Sequence, residues 1–254
     1  ISVVFFVSLL FVWGQENRTE SVAKHLETAK KNKNLNQEGY VVLEDDLLLL
    51  KIQIKSGRVV ESRLKNYGVE NHPDSLGVRV FGSDPETGFK FYMKTGFVGK
   101  NPSYVLKVAD QNSVVLEDPA LGLKKEIKLD SVGYEVLVKD SVVGGTTGKP
   151  YASVYRTPGQ SLDLKRDVMS GVMMNNSSYE GVGFSTKDEP YDTYRFRGID
   201  EPLYFYSKGG WVAYIQKYFF SAFLGSDDHY YRYFAQPKNN EGLFRIGYTI
   251  EPEE

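Results

Sequence analysis

From Tyr40 onward the apolar residues of this chain recur at every second position, and that period restricts its fold more than any other feature. Successive side chains of a strand point to opposite faces, so a period of two specifies strands with one buried face and one wetter face. Leu50, Ile52 and Ile54 alternate with Lys51, Gln53 and Lys55, and Ser56-Gly57 turns the chain into a second strand from Arg58 to Lys65, which reads as a hairpin. Phe89, Phe91 and Met93 alternate with Lys90, Tyr92 and Lys94 after the turn Asp84-Pro85-Glu86-Thr87-Gly88, and Tyr134, Val136 and Val138 alternate with Glu135 and Lys139. Leu121, Leu123, Ile127 and Leu129 follow the same rule, as do Phe244, Ile246, Tyr248 and Ile250. About fifteen short strands result, too many for one open twisted sheet, so two stacked sheets are expected. No alternation of strand and helix appears, which argues against a parallel α/β fold.

Composition narrows the function classes. The 254 residues contain no cysteine, which excludes disulfides, thiolate metal sites and a cysteine nucleophile. With 31 basic and 33 acidic residues the net charge is −2, so no global field points to nucleic acid. Eighteen tyrosines among 14% aromatic residues suit half-wet sheet faces.

Residues 1–14, ISVVFFVSLLFVWG, carry no charge. As a helix they would span about 21 Å, short of a full crossing, so they read as the end of a longer transmembrane helix with Trp13 near the interface; a signal-peptide core or a buried strand are the competing readings. Residues 15–38 are polar and read as a tether, with a short helix from Thr19 to Lys31, and the main domain occupies 39–254.

One stretch breaks the period of two. Ser207 to Leu224, SKGGWVAYIQKYFFSAFL, places Trp211, Tyr214, Ile215, Tyr218, Phe219, Ala222 and Phe223 at helical spacing after a glycine pair, which predicts a single amphipathic helix whose aromatic stripe is either core or a partner-binding face.

The chemistry-bearing motifs are weak. Gly144-Gly145-Thr146-Thr147-Gly148-Lys149-Pro150 has Val143 where a phosphate loop needs its first glycine and Pro150 where it needs serine or threonine, so it reads as an ordinary connecting loop. His25, His72 and His229 have no metal-ligand spacing among them, and Asp227-Asp228-His229 reads as a solvated turn. Asp188, Glu189 and Asp192 form a carboxylate cluster that would need a paired acid or base to act on sugars; otherwise it is a loop leading into a strand from Tyr191 to Arg197.

Two adjoining segments carry a family likeness. Tyr179-Glu180-Gly181-Val182-Gly183-Phe184-Ser185-Thr186-Lys187-Asp188-Glu189-Pro190-Tyr191, continuing through Tyr194-Arg195-Phe196, and Ser207-Lys208-Gly209-Gly210-Trp211-Val212-Ala213 with Gln216, Tyr218 and Phe219, resemble the YidC-type membrane protein insertases of Gram-negative bacteria. The order agrees as well: an apolar anchor, a tether, a strand pair around Ser56-Gly57-Arg58-Val59, the Thr95-Gly96-Phe97-Val98-Gly99 loop, then these two blocks. Between Leu121 and Gln160 almost nothing aligns.

The resemblance implies an all-β, two-sheet β-supersandwich similar to galactose mutarotases, with one or two short helices and a transmembrane helix remnant. It implies a bacterial inner-membrane protein whose main domain is periplasmic and which assists insertion and folding of membrane proteins, alone or with the Sec translocon. The implied partners are the translocon and its accessory subunits, nascent membrane proteins, and the bilayer through residues 1–14; no enzyme activity, catalytic residue, metal or cofactor is implied. The family continues past the position of Glu254 through further strands and a connecting helix into the membrane, so the resemblance implies that the sandwich within 39–254 lacks its last strands; insertion is assigned there to a bundle of later membrane helices with a hydrophilic groove, for which no residue of this sequence is a counterpart. A soluble sandwich offers partners its strand edges and aromatic grooves, and Trp211, Tyr214, Tyr218, Phe219, Phe223, Tyr191 and Tyr194 are the candidates for partner-facing or bracing roles. The alternative reading is a carbohydrate-binding or mutarotase-like periplasmic module.

Overall fold

The computed structural model describes residues 2–9, 39–67, 77–86, 88–130, 133–143, 148–158, 180–216, 219–237 and 242–252. The first group of strands comprises β1 (Ser2–Leu9), β2 (Tyr40–Glu44), β3 (Leu48–Gln53), β4 (Arg58–Leu64), β5 (Val78–Phe81) and β6 (Phe91–Phe97). A meander follows, built from β7 (Val105–Ala109), β8 (Ser113–Asp118), β9 (Leu123–Leu129) and β10 (Glu135–Val142). The rest is β11 (Pro150–Arg156), β12 (Glu180–Ser185), β13 (Asp192–Arg195), β14 (Leu203–Gln216), β15 (Phe219–Gln236) and β16 (Phe244–Glu251).

Alternation decides which faces are buried. In β3, Leu48, Leu50 and Ile52 are buried while the residues between them are half-exposed, and β9 buries Leu123, Lys125, Ile127 and Leu129. The predicted hairpin is β3–β4, closed through Gly57 at φ +63°. Ladders run in the order β2-β3-β4-β6-β11-β16-β15 and continue through β1 into β10-β9-β8-β7, with β14, β12 and β13 branching from β15. The chain folds this path into two antiparallel layers, a sandwich-like arrangement as the strand count implies. The meander lies against the β2–β6 arm, where the Glu44 amide donates to the Gln111 carbonyl and the Tyr104 amide to the Lys55 carbonyl, each at 2.9 Å.

The layers are joined by a charged cluster in the apolar interior. Lys125 on β9, 1% exposed, donates to Asp140 Oδ1 of β10 at 2.5 Å, to Thr95 Oγ1 of β6 at 2.5 Å and to the Thr95 carbonyl at 3.2 Å. Thr95 Oγ1 in turn donates to Asp140 Oδ2 at 2.5 Å. Each buried charge is therefore both paired and hydrogen-bonded, as burial in a low dielectric demands.

Five expectations are corrected, three of them in one stretch. Ser207 to Leu224 is not a helix: its described residues belong to β14 and β15, paired from Gly210↔Gly225 to Gln216↔Phe219. The glycine pair is not a turn before a helix but a kink inside β14, where Gly209 and Gly210 hold φ of +72° and +91°. A Cβ on Gly209 would lie 2.3 Å from Asp227 Oδ1, and one on Gly210 would lie 2.2 Å from the Ser185 carbonyl oxygen. Opposite the kink, β15 carries the extra residues Ser226 to His229, so Asp227-Asp228-His229 is a bulged excursion within a strand, not a turn after a helix.

Ser2–Leu9, expected within a transmembrane helix, forms β1, antiparallel to β10 on one edge and β15 on the other. Valine and phenylalanine favour the pleated backbone, and two neighbouring strand edges supply partners for its amides and carbonyls. Residue 1 and residues 10–38, which include the rest of the expected anchor, the short helix at Thr19 to Lys31 and the tether, lie outside the described residues. No described helix is long and apolar enough to cross a membrane.

The expected strand Tyr191 to Arg197 is shorter, Asp192–Arg195, and a 3₁₀ turn at Phe196–Gly198 follows it. That turn is the one helical element among the described residues.

Two outcomes are expected. Replacing Lys125 by Met, or Asp140 by Leu, strands the opposite charge in the core and should cost about 3–5 kcal/mol in urea unfolding; the double substitution should recover most of that loss. Glu251 at the end of β16 binds Lys149 and accepts a hydrogen bond from Thr249 Oγ1 at 2.7 Å. Partial burial alone would raise its carboxyl, but those bonds and the Lys149 and Arg232 charges outweigh burial and hold it below the ordinary value. A depressed carboxyl stabilises the fold above its unfolded pKa, and that stability is lost as pH falls through the folded value. Glu251→Gln should therefore flatten the acid limb of a stability–pH curve below the ordinary glutamate range while leaving its slope at neutral pH unchanged.

Candidate partner-binding surface

The β14–β15 hairpin presents different aromatic residues to its two sides. Between Leu203 and Lys208 the chain alternates, with Phe205 and Ser207 turned inward and Tyr204, Tyr206 and Lys208 outward. On β15, Tyr231 and Tyr233 point inward, whereas Tyr230 is exposed and Arg232 half-buried. Tyr206 is 50% and Tyr230 39% exposed, and their rings stack 6.4 Å apart across the strands. Arg232 lies 5.5 Å over the Tyr204 ring, and Gln236 Nε2 donates to Tyr204 Oη at 3.0 Å. The result is a tyrosine strip flanked by Lys208, Arg232 and Glu251, with apolar ring faces and hydrogen-bonding tips held on paired backbone. Tyrosine of this kind is enriched in binding surfaces because it adds area at little entropic cost.

The inward side locks that strip in place. Tyr233 Oη donates to the Gly209 carbonyl at 2.7 Å, and the Ser226 amide donates to Tyr231 Oη at 3.0 Å, so two buried tyrosines hold the kink and the bulge opposite it. Burial pushes the Tyr233 hydroxyl well above its ordinary pKa, with the Tyr231 hydroxyl and the Asp227 charge acting in the same direction, which keeps it a neutral donor.

The structure distributes the seven residues named from sequence along this hairpin and its neighbours. Tyr214 and Phe223 are core residues, 1% exposed each: Tyr214 packs 4.7 Å from the Phe91 ring and 5.3 Å from the Phe196 ring, and Phe223 meets Tyr248 edge-on at 6.0 Å. Trp211 is half-buried beside Tyr191, 6.0 Å away, and Tyr191 is 66% exposed. Tyr194 is half-buried against Phe184 and Phe205, and its hydroxyl donates to Asp192 Oδ2 at 2.5 Å. That bond, ahead of burial, pushes the Tyr194 pKa up to about 12. Phe219 packs edge-on to Tyr67 at 6.3 Å, and Tyr218 lies outside the described residues. Tyr191, just before β13, and Trp211 on β14 thus form a second, smaller aromatic surface.

Beneath the hairpin lies a cavity of about 150 Å³ lined by Val154, Arg156, Phe196, Arg197, Tyr214 and Phe244 among others. Arg156 donates to both carboxylate oxygens of Glu180 at 3.1 Å and lies 5.3 Å from the Tyr214 ring. Asp188, Glu189 and Asp192 do not line this cavity. Asp192 accepts from the Thr193 amide at 2.7 Å as well as from Tyr194, so it acts as a local brace.

Sequence reasoning missed Tyr204, Tyr206 and Tyr230. The signal for Tyr204 and Tyr206 is the alternation Leu203-Tyr204-Phe205-Tyr206, a strand with tyrosine on its wet face, which the helix reading of the residues just beyond it overshadowed.

Comparison with known proteins gives this geometry a family. A family model described as "YidC periplasmic domain" matches residues 40–254. The chain is 24% identical to a membrane protein insertase YidC of Wigglesworthia glossinidia brevipalpis over 85% of its own length and 44% of that protein. It is 27% identical to that of Mannheimia succiniciproducens over 85% of its length and 42% of the relative, and 22% identical to that of Buchnera aphidicola subsp. Baizongia pistaciae over 99% and 52%. The chain therefore spans about half, or less, of the length of the relatives it matches. Since the match covers the whole strand-rich region from β2 to β16, the chain belongs to the family of YidC periplasmic domains.

Proposed function

We propose that this chain is the periplasmic part of an inner-membrane insertase and that it assists insertion and folding of membrane proteins, alone or beside the Sec translocon. The observation that carries the reading is the family match over residues 40–254, together with relatives that are named membrane protein insertases. The role is one of binding, without bond-breaking chemistry. A bilayer cannot hydrogen-bond exposed peptide groups, so transit of polar segments requires a membrane-embedded groove, and a water-exposed sandwich contributes surfaces for clients and partners instead. The tyrosine strip at Tyr204, Tyr206 and Tyr230 suits such contacts: it is exposed, aromatic and cation-flanked on a rigid hairpin. Tyr191 with Trp211 forms a second candidate contact.

The carbohydrate reading has one favourable observation, the aromatic walls of Phe196, Tyr214 and Phe244 around the cavity at Arg156. The carboxylates that motivated it, Asp188, Glu189 and Asp192, are not at that cavity. Calorimetric titration with common aldoses should therefore give no heat of binding.

The insertase reading is tested in cells depleted of their own insertase and supplied with the full-length protein bearing this domain. A photo-crosslinking residue at Tyr206 should yield adducts with nascent membrane proteins or Sec subunits, and Tyr230→Ser should lower that yield about tenfold, the loss expected for one interface anchor. Normal insertion after removal of the protein, with no adducts, would overturn the reading.

A further inference from the structure

The outward face of β14 and β15 does not stop at the tyrosine strip. Register carries it across three more strands: Tyr204 stands beside Phe234, Phe234 beside Gly247 of β16, Gly247 beside Ser153 of β11, and Ser153 beside Lys94 of β6. The neighbouring rows run Tyr206–Arg232–Thr249–Tyr151 and Gln236–Arg245–Tyr155–Tyr92. Met93, Val154, Ile246 and Tyr248 alternate with these residues and point the other way, into the core. Five strands at the usual spacing make a face roughly 20 Å across.

The charged side chains of this face are mostly basic. Lys94, Lys208, Arg232 and Arg245 stand on it, Arg58 of β4 is held 4.6 Å over the Tyr92 ring, and Lys149 lies at its margin. Among the described residues, the acids of the five strands are Glu251 and, in the bulge past the strip, Asp227 and Asp228. The whole chain has a net charge of −2, so the basic excess is local. Its arginines are laid on rings. Arg245 sits 4.6 Å from the Phe234 ring, 5.4 Å from Tyr151 and 5.6 Å from Tyr155, with Nε donating to Ser153 Oγ at 3.1 Å, and Arg232 sits 5.5 Å over Tyr204. A guanidinium held over rings carries its N–H groups at its edge, where it binds phosphate oxygens in pairs.

From this we infer that the β14-β15-β16-β11-β6 face docks on the surface of a bilayer containing anionic phospholipid, with its cations on headgroup phosphates and Tyr204, Tyr206 and Tyr230 at headgroup level. The inference rests on the insertase reading for placing a bilayer beside the domain, but not for the chemistry of the face. Two observations favour lipid over an acidic polypeptide. The cations are spread over five strands, so an extended acidic segment would match two or three of them, whereas a lipid surface meets all of them at once. The exposed tyrosines have apolar rings and polar tips, the combination that suits the boundary between headgroups and acyl chains. The tyrosine strip is then held where client segments leave the lipid.

Two arms test the docking apart from the insertase reading. In the first, the 254-residue chain is sedimented with phosphatidylcholine vesicles containing phosphatidylglycerol. Lys208→Gln and Arg232→Gln should each lower its affinity about fivefold, and added salt should erase the difference. Lys128→Gln and Lys139→Gln, at exposed positions of the meander, should leave it unchanged. Residues 1–38 are the same in every variant, so their own affinity for lipid cancels from the comparison. No loss from the first pair, or an equal loss from both pairs, would overturn the docking. Should the first pair fail to fold, the second arm decides: a photo-crosslinking residue at Tyr204 of the full-length membrane protein in the same lipid. Phospholipid adducts there support the docking; adducts only with an acidic partner, or with another segment of the same protein, overturn it. Client adducts at Tyr206 without lipid adducts at Tyr204 overturn the docking and leave the insertase reading standing. Lipid adducts at Tyr204 with no client or Sec adducts at Tyr206 keep the docking and overturn the insertase reading.

Discussion

The two layers of this sandwich are held in register by one buried ion pair. Lys125 reaches from the meander to Asp140 beside it and to Thr95 on the opposite arm, so a single ammonium ties β9, β10 and β6. Apolar contacts alone would leave the layers free to slide by a residue pair, since valine and leucine side chains pack acceptably in several positions. A lysine that is 1% exposed has no such freedom: two of the three protons on its ammonium have side-chain acceptors here, and any displacement leaves a charge unpaired in a low dielectric. The cluster therefore contributes uniqueness more than stability. It also fixes β10, whose outer edge pairs with β1, relative to the β6–β11–β16 arm that leads to β15.

The second constraint is the kink at Gly209 and Gly210. Six positions, Leu203 to Lys208, pair with the C-terminal half of β15, and seven, Gly210 to Gln216, pair with its N-terminal half. Both glycines have positive φ and no room for a Cβ, so the backbone bends there by necessity. The bend divides one hairpin into two working parts. The first displays the tyrosine strip, and the second faces β12 and leaves the free edge of 219–224 to β1.

Most of the fold was legible because alternation is a local signal: the β3–β4 hairpin, β6, β9, β10 and β16 all lie where the period of two puts them. It failed where strands are covered on both faces. Val212, Ala213 and Tyr214 are buried in succession, as are Ser221, Ala222 and Phe223, and once both faces are apolar the period vanishes. Between Gln216 and Phe219 the sequence reads Lys217-Tyr218, with none of the Asn-Gly or Asp-Gly chemistry that marks a hairpin reversal. The apolar residues on either side of that reversal happen to fall at helical spacing, and so a hairpin was read as a helix. The candidate site was less legible still. The Tyr206–Tyr230 stack joins residues 24 positions apart, and the Arg156–Glu180 pair spans the same separation, so neither exists until the register is known.

The apolar run at Ser2–Leu9 shows why some segments have no single reading. A strand and a transmembrane helix demand the same composition, uncharged and rich in valine and phenylalanine, and differ only in what satisfies the backbone. In lipid the chain must satisfy itself and becomes helical; beside two open strand edges in water, it is satisfied by its neighbours and stays extended. Conformation is then set by the solvent the segment meets and not by its residues alone. In this chain those neighbours are β10 and β15, which pair with Ser2–Leu9 along both of its edges.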